Sequence, residues 1–288
     1  MNMAMAEKVD QINTILGEHK DGFYVSFKEV PRSTGIRNAY LIHEPNSETC
    51  ATPIIYEDDI KTMSTTEIVS YIENVYQNNR LEIGMELGDI ASPDFILKHI
   101  TPHIGPSNRE QYLRKADYIV LPFLDMTVTL AVTLKGKGFY LLSEKMLEKS
   151  RIRYDQLMDA AFHNLESDYT IRTMSETLAA MGCGSIDEEE DLPLYVVTNA
   201  TDGQYGAGVI LSHKILSEVS DRMKSNKVII FPSSVHEIIC VPENFADDIH
   251  GLQRMVADIN AEVVSDEDQL SDSVYIWDNA QKTLNIAE

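Results

Sequence analysis

Leu194-Tyr195-Val196-Val197-Thr198 opens, and Phe231-Pro232-Ser233-Ser234-Val235-His236-Glu237-Ile238-Ile239-Cys240-Val241-Pro242 closes, the stretch that decides the fold. Residues 195–198 read as a strand, and Gly203-Gln204-Tyr205-Gly206-Ala207-Gly208 as the turn leading out of it. Leu211, Ile215, Val219 and Met223 recur at helical spacing, which predicts a helix over residues 208–223. Residues 228–231 and 238–241 are short apolar strands, and the Pro-Ser-Ser step between them is a tight turn.

Toward the N-terminus, Val9, Ile12 and Leu16 predict a helix over residues 7–16, and the alternating residues 23–27 and 39–43 a hairpin. Residues 52–56 are a third extended piece. Ser64-Thr65-Thr66-Glu67 is a capping box, in which a serine and a glutamate satisfy each other's backbone amides, ahead of the buried stripe Ile68, Ile72, Val75 and Tyr76. Pro93, Pro102 and Pro106 leave room only for a helical turn at 95–99, and Ser107-Asn108-Arg109-Glu110 is a second box. Met126, Val128, Leu130, Val132 and Leu134 alternate with Thr127, Thr129, Ala131 and Thr133 in the clearest strand, which Lys135-Gly136-Lys137-Gly138 turns back through 139–142.

Helical patterns follow at 144–149, 154–165 and 170–181, the last stopping at Gly182, and then an acidic loop at 183–191. After the central stretch come an amphipathic helix through Phe245, Ile249, Leu252, Val256 and Ile259, and a hairpin of 274–277 with 283–286 around Asp278-Asn279. Hairpins mixed with helices that do not alternate regularly predict an α+β fold, a largely antiparallel mixed sheet with packed amphipathic helices. Two organisations stay open: a smaller unit, 1–105, and a larger one, 106–288, or a single continuous body.

The chain of 288 residues carries 24 basic and 46 acidic side chains, a formal charge of −22. Residues 1–144 hold 13 basic and 20 acidic groups, and residues 145–288 hold 11 and 26, so the second half is the acidic one. Such a charge repels phosphate backbones and anionic lipid, so direct nucleic-acid or membrane partners are not expected. Cys50, Cys183 and Cys240 form neither a disulfide framework nor a zinc spacing. With no signal-like or membrane-spanning apolar run, a reducing, cytoplasmic location is expected.

Thr52-Pro53-Ile54-Ile55-Tyr56, Pro122-Phe123-Leu124-Asp125-Met126, Tyr205-Gly206-Ala207, residues 231–237 and Leu270-Ser271-Asp272-Ser273-Val274-Tyr275 carry a resemblance over most of the chain. Together they resemble the family called domain of unknown function 5688. The second half also resembles, more weakly, another bacterial family with a hairpin, helix, strand, helix, strand order. The strand after Asp125 departs from similar proteins, which look more continuously apolar, so one face is expected to be less buried. The resemblance implies a bacterial cytoplasmic protein associated with a mobile element, and it supplies no activity, cofactor or catalytic residue.

Three constellations could carry chemistry. Ser233, Ser234, His236 and Glu237 bring nucleophile, base and carboxylate together, but neighbours in an extended segment face opposite sides and do not easily form one relay. Gly203, Gly206 and Gly208 lie between a strand and a helix, where backbone amides can cradle a phosphate, although the lysine of a P-loop is missing. His99 and His103 are spaced as a helical metal pair, but Pro102 interrupts them, and no metal or other cofactor is expected. Asp125 at a strand entrance is either a turn cap or a functional carboxylate.

The leading expectation is a non-catalytic interaction or regulatory protein that binds another protein through Tyr205, Ser233, Ser234, His236 and Glu237. One alternative is a hydrolase-type enzyme using residues 233–237 with Asp125. The other is an acidic mimic of nucleic acid that occupies a DNA- or RNA-binding protein.

Overall fold

The computed structural model describes residues 3–19, 22–32, 35–43, 54–78, 90–134, 138–180, 193–232, 234–245, 249–262, 264–265 and 268–287. Ser233, Cys50, Cys183, Gly182, the 135–137 part of the Lys-Gly turn and the acidic loop at 183–191 lie outside the described residues. The chain divides into two compact units, Met1–Ser92 and Pro93–Glu288.

In the first unit, α1 (Met3–His19) precedes β1 (Tyr24–Arg32), β2 (Gly35–His43) and β3 (Ile54–Tyr56), an antiparallel sheet in that order. Asn13 on α1 satisfies Val25 of the edge strand β1 twice: its Nδ2 donates to the Val25 carbonyl at 2.9 Å and its Oδ1 accepts the Val25 amide at 2.8 Å. After α2 (Glu57–Ile60), α3 (Thr65–Asn78) starts at the expected capping box, with the Ser64 amide donating to Glu67 Oε2 at 2.8 Å. Ile12, Leu16, Tyr40, Ile68 and Ile72 are buried in one cluster.

Among the described residues the second unit holds two antiparallel sheets. In the first, β6 (Met126–Thr133) pairs with β4 (Ile100–Pro106) along one edge and with β5 (Val120–Phe123) and β7 (Phe139–Leu141) along the other. The helices α4 (Pro93–His99), α5 (Glu110–Lys115), α6 (Glu144–Ser150) and α7 (Tyr154–Leu165) belong to it in sequence. β4 was hidden by its prolines. The Leu130 carbonyl accepts from the Leu142 amide, so it points away from β4, and Pro102 opposite Leu130 occupies a site where a missing N–H removes no ladder bond. The expectation of a less buried face on β6 fails: Thr127 and Thr129 are 1% and 8% exposed, so both faces are covered.

The second sheet has the order β13-β12-β10-β11-β9-β8. Its strands are β8 (Thr170–Thr173), β9 (Tyr195–Thr198), β10 (Lys227–Phe231), β11 (Ile238–Pro242), β12 (Tyr275–Asp278) and β13 (Thr283–Ile286), with α8 (Met174–Ala180), α9 (His213–Met223) and α10 (Ile249–Glu262) between them. Residues 170–173 are therefore strand and not helix, because Ile171 pairs with Val197. The helix starts behind a box the pattern concealed, in which Thr173 and Glu176 exchange hydrogen bonds of 2.8 and 3.1 Å. Likewise residues 206–211 form a 3-10 turn, and α9 begins only after Ser212, whose Oγ accepts the Ile215 amide at 3.3 Å. Ile215 and Val219 of α9, Val228 and Ile230 of β10, and Met126 and Val128 of β6 share one buried cluster, which joins the two sheets. All strand pairings among the described residues are antiparallel, as an α+β fold of this kind requires.

Candidate functional site

The turn after β9 and the turn before β11 are tied together atom by atom. Tyr205 adopts the left-handed conformation, φ 55° and ψ 27°, and its amide donates to Nδ1 of His236 at 3.1 Å. Nδ1 is thereby an acceptor, so the ring proton sits on Nε2, which lies 3.2 Å from Oδ1 of Asp268. Asp268 is held in turn by the Ser265 hydroxyl at 2.7 Å, and its carbonyl accepts the Val235 amide at 2.9 Å. The His236 carbonyl accepts from the Gly206 amide at 2.9 Å and from the Thr198 hydroxyl at 2.7 Å.

These bonds decide what the glycines do. The Asp202 and Gly203 amides both donate to Asn199 Oδ1, Gln204 to Asp202 Oδ1, Tyr205 to His236, Gly206 to the His236 carbonyl and Ala207 to the Val235 carbonyl. Consecutive amides from 202 to 207 are thus satisfied within the protein, and none of them is left to face a phosphate. Close approach explains two of the glycines. A Cβ on Gly206 would lie 2.2 Å from Thr198 Oγ1 and 2.4 Å from the Asn199 nitrogen, and one on Gly208 would lie 2.4 Å from the Pro102 carbonyl oxygen. Gly203 has φ +70° with open space around it, so it serves the turn.

Ser234 is buried, donates to Glu237 Oε1 at 2.9 Å and accepts the His236 amide at 3.0 Å. The imidazole nitrogens of His236 meet Tyr205 and Asp268 and no serine hydroxyl among the described residues. The arrangement is that of a braced turn, with the histidine as a crosslink.

Asp125 belongs to a different constellation. Leu124 and Asp125 form the two-residue loop between β5 and β6, with Leu124 at φ 52°. Asp125 Oδ2 accepts the Ser271 and Ser273 hydroxyls at 2.7 and 2.8 Å, and Oδ1 accepts the Tyr275 hydroxyl. Burial acts to raise this carboxyl, but the three hydroxyls outweigh it and hold it below its ordinary range. The Tyr275 phenol is pushed up by burial and by the Asp125 charge. Four of the sequence stretches singled out above therefore meet in pairs: 122–126 grips 270–275, and 205–207 grips 231–237. The segment from Asp268 to Tyr275 takes part in both grips.

Above the braced turn lies a group of rings. Tyr205, 36% exposed, stacks on His103 with centroids 5.3 Å apart and planes at 3°. Phe139 meets both rings edge-on, at 4.7 Å from Tyr205 and 4.6 Å from His103, and His236 tilts against Tyr205 at 5.2 Å. Burial pushes His103 down to about 4, against the opposing pull of Asp202, so the ring is neutral near pH 7. His99 is turned elsewhere, its Nδ1 2.9 Å from the Phe95 carbonyl. Among the described residues no group of three metal-ligating side chains occurs.

Asp268, Asp202 and Phe139 were missed by sequence reasoning, and His103 was weighed only as a metal ligand with His99, not as a ring stacked on Tyr205. His236 and Asp268 are 32 positions apart, and no local spacing announces their bond. His103 pairs with Thr129 of β6, a register that the alternation of β6 does not announce.

No helix among the described residues is long and apolar enough to cross a membrane. The model of the family of unknown function DUF5688 matches residues 5–279. No curated protein and no solved structure matches the chain.

Proposed function

The chain belongs to the DUF5688 family of unknown function, a membership that brings no activity with it, and we propose from the site that it is a non-catalytic protein-interaction or regulatory module, and from composition and the resemblance that it works in a bacterial cytoplasm. The observation that carries this reading is the pairing of an exposed aromatic anchor with a rigid base. Tyr205 is partly exposed, yet its backbone is locked by His236 and its ring by His103 and Phe139. Preorganised aromatic side chains are the commonest anchors of protein interfaces because little side-chain entropy remains to be lost on binding. Ser234, His236 and Glu237 then act as the support beneath the anchor, which weighs against the hydrolase reading. The buried free thiol of Cys240 fits a reducing compartment.

The test is capture of a partner on the immobilised full chain from a bacterial lysate, comparing wild type, Tyr205→Asn and Tyr154→Ala. Asparagine tolerates the left-handed conformation of position 205, and Tyr154 is a still more exposed aromatic at the start of α7. A partner held by wild type and Tyr154→Ala but lost by Tyr205→Asn supports the reading. A partner that Tyr205→Asn retains overturns it.

A further inference from the structure

We infer that the Tyr205 platform receives an arginine side chain from a basic segment of the partner protein. This rests on the interaction reading above and specifies its occupant. The platform is rich in acceptors. Neither the Tyr205 hydroxyl nor either nitrogen of His103 has a hydrogen-bond partner among the described residues, although both rings are fixed by stacking. A neutral imidazole offers one acceptor nitrogen, and a phenol oxygen another. The charge beside them is negative: Asp202 acts on His103, and Asp268 lies at the far side of the His236 ring.

A partly exposed phenol ring, two neutral acceptors and nearby carboxylates call for a ligand that is cationic, flat and has several donors. Guanidinium has this chemistry, since it stacks on aromatic rings and donates in a rigid fork, whereas ammonium is a more strongly hydrated point charge. An anionic group would meet repulsion from Asp202 and Asp268, and so would nucleic acid. The acidic excess of the second half of the chain favours approach of a basic segment over a longer range.

The probe is an acetylated, amidated pentapeptide, Gly-Arg-Gly-Arg-Gly, titrated into the full chain at low ionic strength, with the serine and glutamate versions as controls. NMR of the His103 and Tyr205 ring signals is the readout. The expected result is movement of both ring signals with the arginine peptide, affinity roughly three- to fivefold above the serine peptide, and weakening with salt. Asp202→Asn, which keeps the acceptor for the Gln204 amide, should lower the affinity about two- to threefold. Tyr205→Asn should abolish the shifts at His103. Equal response to the serine peptide, or unmoved ring signals, overturns the assignment. Tyr205-dependent partner capture with unmoved rings removes only the arginine assignment, and loss of both removes the interaction reading as well.

Discussion

The buried phenol of Tyr275 donates its hydrogen to the carboxylate of Asp125, 150 positions earlier in the chain. With Ser271 and Ser273 on the other carboxylate oxygen, the two-residue loop between β5 and β6 is fastened to the entry of β12. One side chain therefore links the two sheets of the second unit.

Removing that acceptor should cost more than removing any one donor. Tyr275→Phe is expected to destabilise by about 1–2 kcal/mol and Asp125→Ala by about 2–4 kcal/mol, because hydrogen bonds to a charged group are strong and buried donors left unpaired are costly. The double variant should fall short of the sum, since both changes break the same bond. Urea unfolding of the three variants measures each value. Equal, small losses would mean that the carboxylate does not hold the strand.

Asp125 also predicts an acid limb. Its carboxyl titrates below its ordinary value in the folded protein. Its contribution is therefore complete above the unfolded value of about 3.9 and fades as pH falls through the folded one. Asp125→Asn should flatten stability against pH in that window and leave the slope above pH ~5 unchanged.

His103 acts over a separate window. Folding lowers this histidine from 6.5 to about 4, so between those values the unfolded chain binds more protons than the folded one. Stability is then expected to decline as pH falls from about 6.5 to about 4, by up to about 3 kcal/mol, and to be unaffected by His103 above that range. His103→Phe, which preserves a ring against Tyr205, should remove the slope. Denaturant midpoints collected across this pH range decide the matter.

Gly206 and Gly203 should respond unequally to the same change, and for different reasons. A methyl on Gly206 meets Thr198 Oγ1 at 2.2 Å and backbone at 2.4 Å, so Gly206→Ala should force the two turns apart and cost roughly 2–4 kcal/mol. Gly203→Ala meets nothing within 4 Å and carries only the cost of its positive φ, about 1–2 kcal/mol. Thermal unfolding of the pair tests this. Equal losses would remove close packing as the reason for Gly206.

Ser212 is a further point of leverage. Its Oγ caps α9 and donates to Glu166 Oε1 at 2.7 Å, and the residue is buried. Ser212→Ala should cost about 1–2 kcal/mol, and Ser212→Thr, which keeps the hydroxyl, should recover part of it. Failure of threonine to recover any stability would point to packing and not capping.

The sequence alone determined what short-range patterning can determine. The β1–β2 hairpin, β6, the buried stripe of α9 and the closing β12–β13 hairpin were legible because side-chain alternation and helical spacing report which face is buried. The α+β class followed from them, and the resemblance led to the family. Tertiary structure decided the rest. Pro102 hides a strand in sequence but costs no ladder bond at its register position, and Ile171 fits a helical stripe yet pairs with Val197. Tyr205 meets His103 and His236, and Asp125 meets Tyr275, only because two sheets share a core. Such contacts depend on register and close approach between distant segments, and no local pattern of residues encodes either.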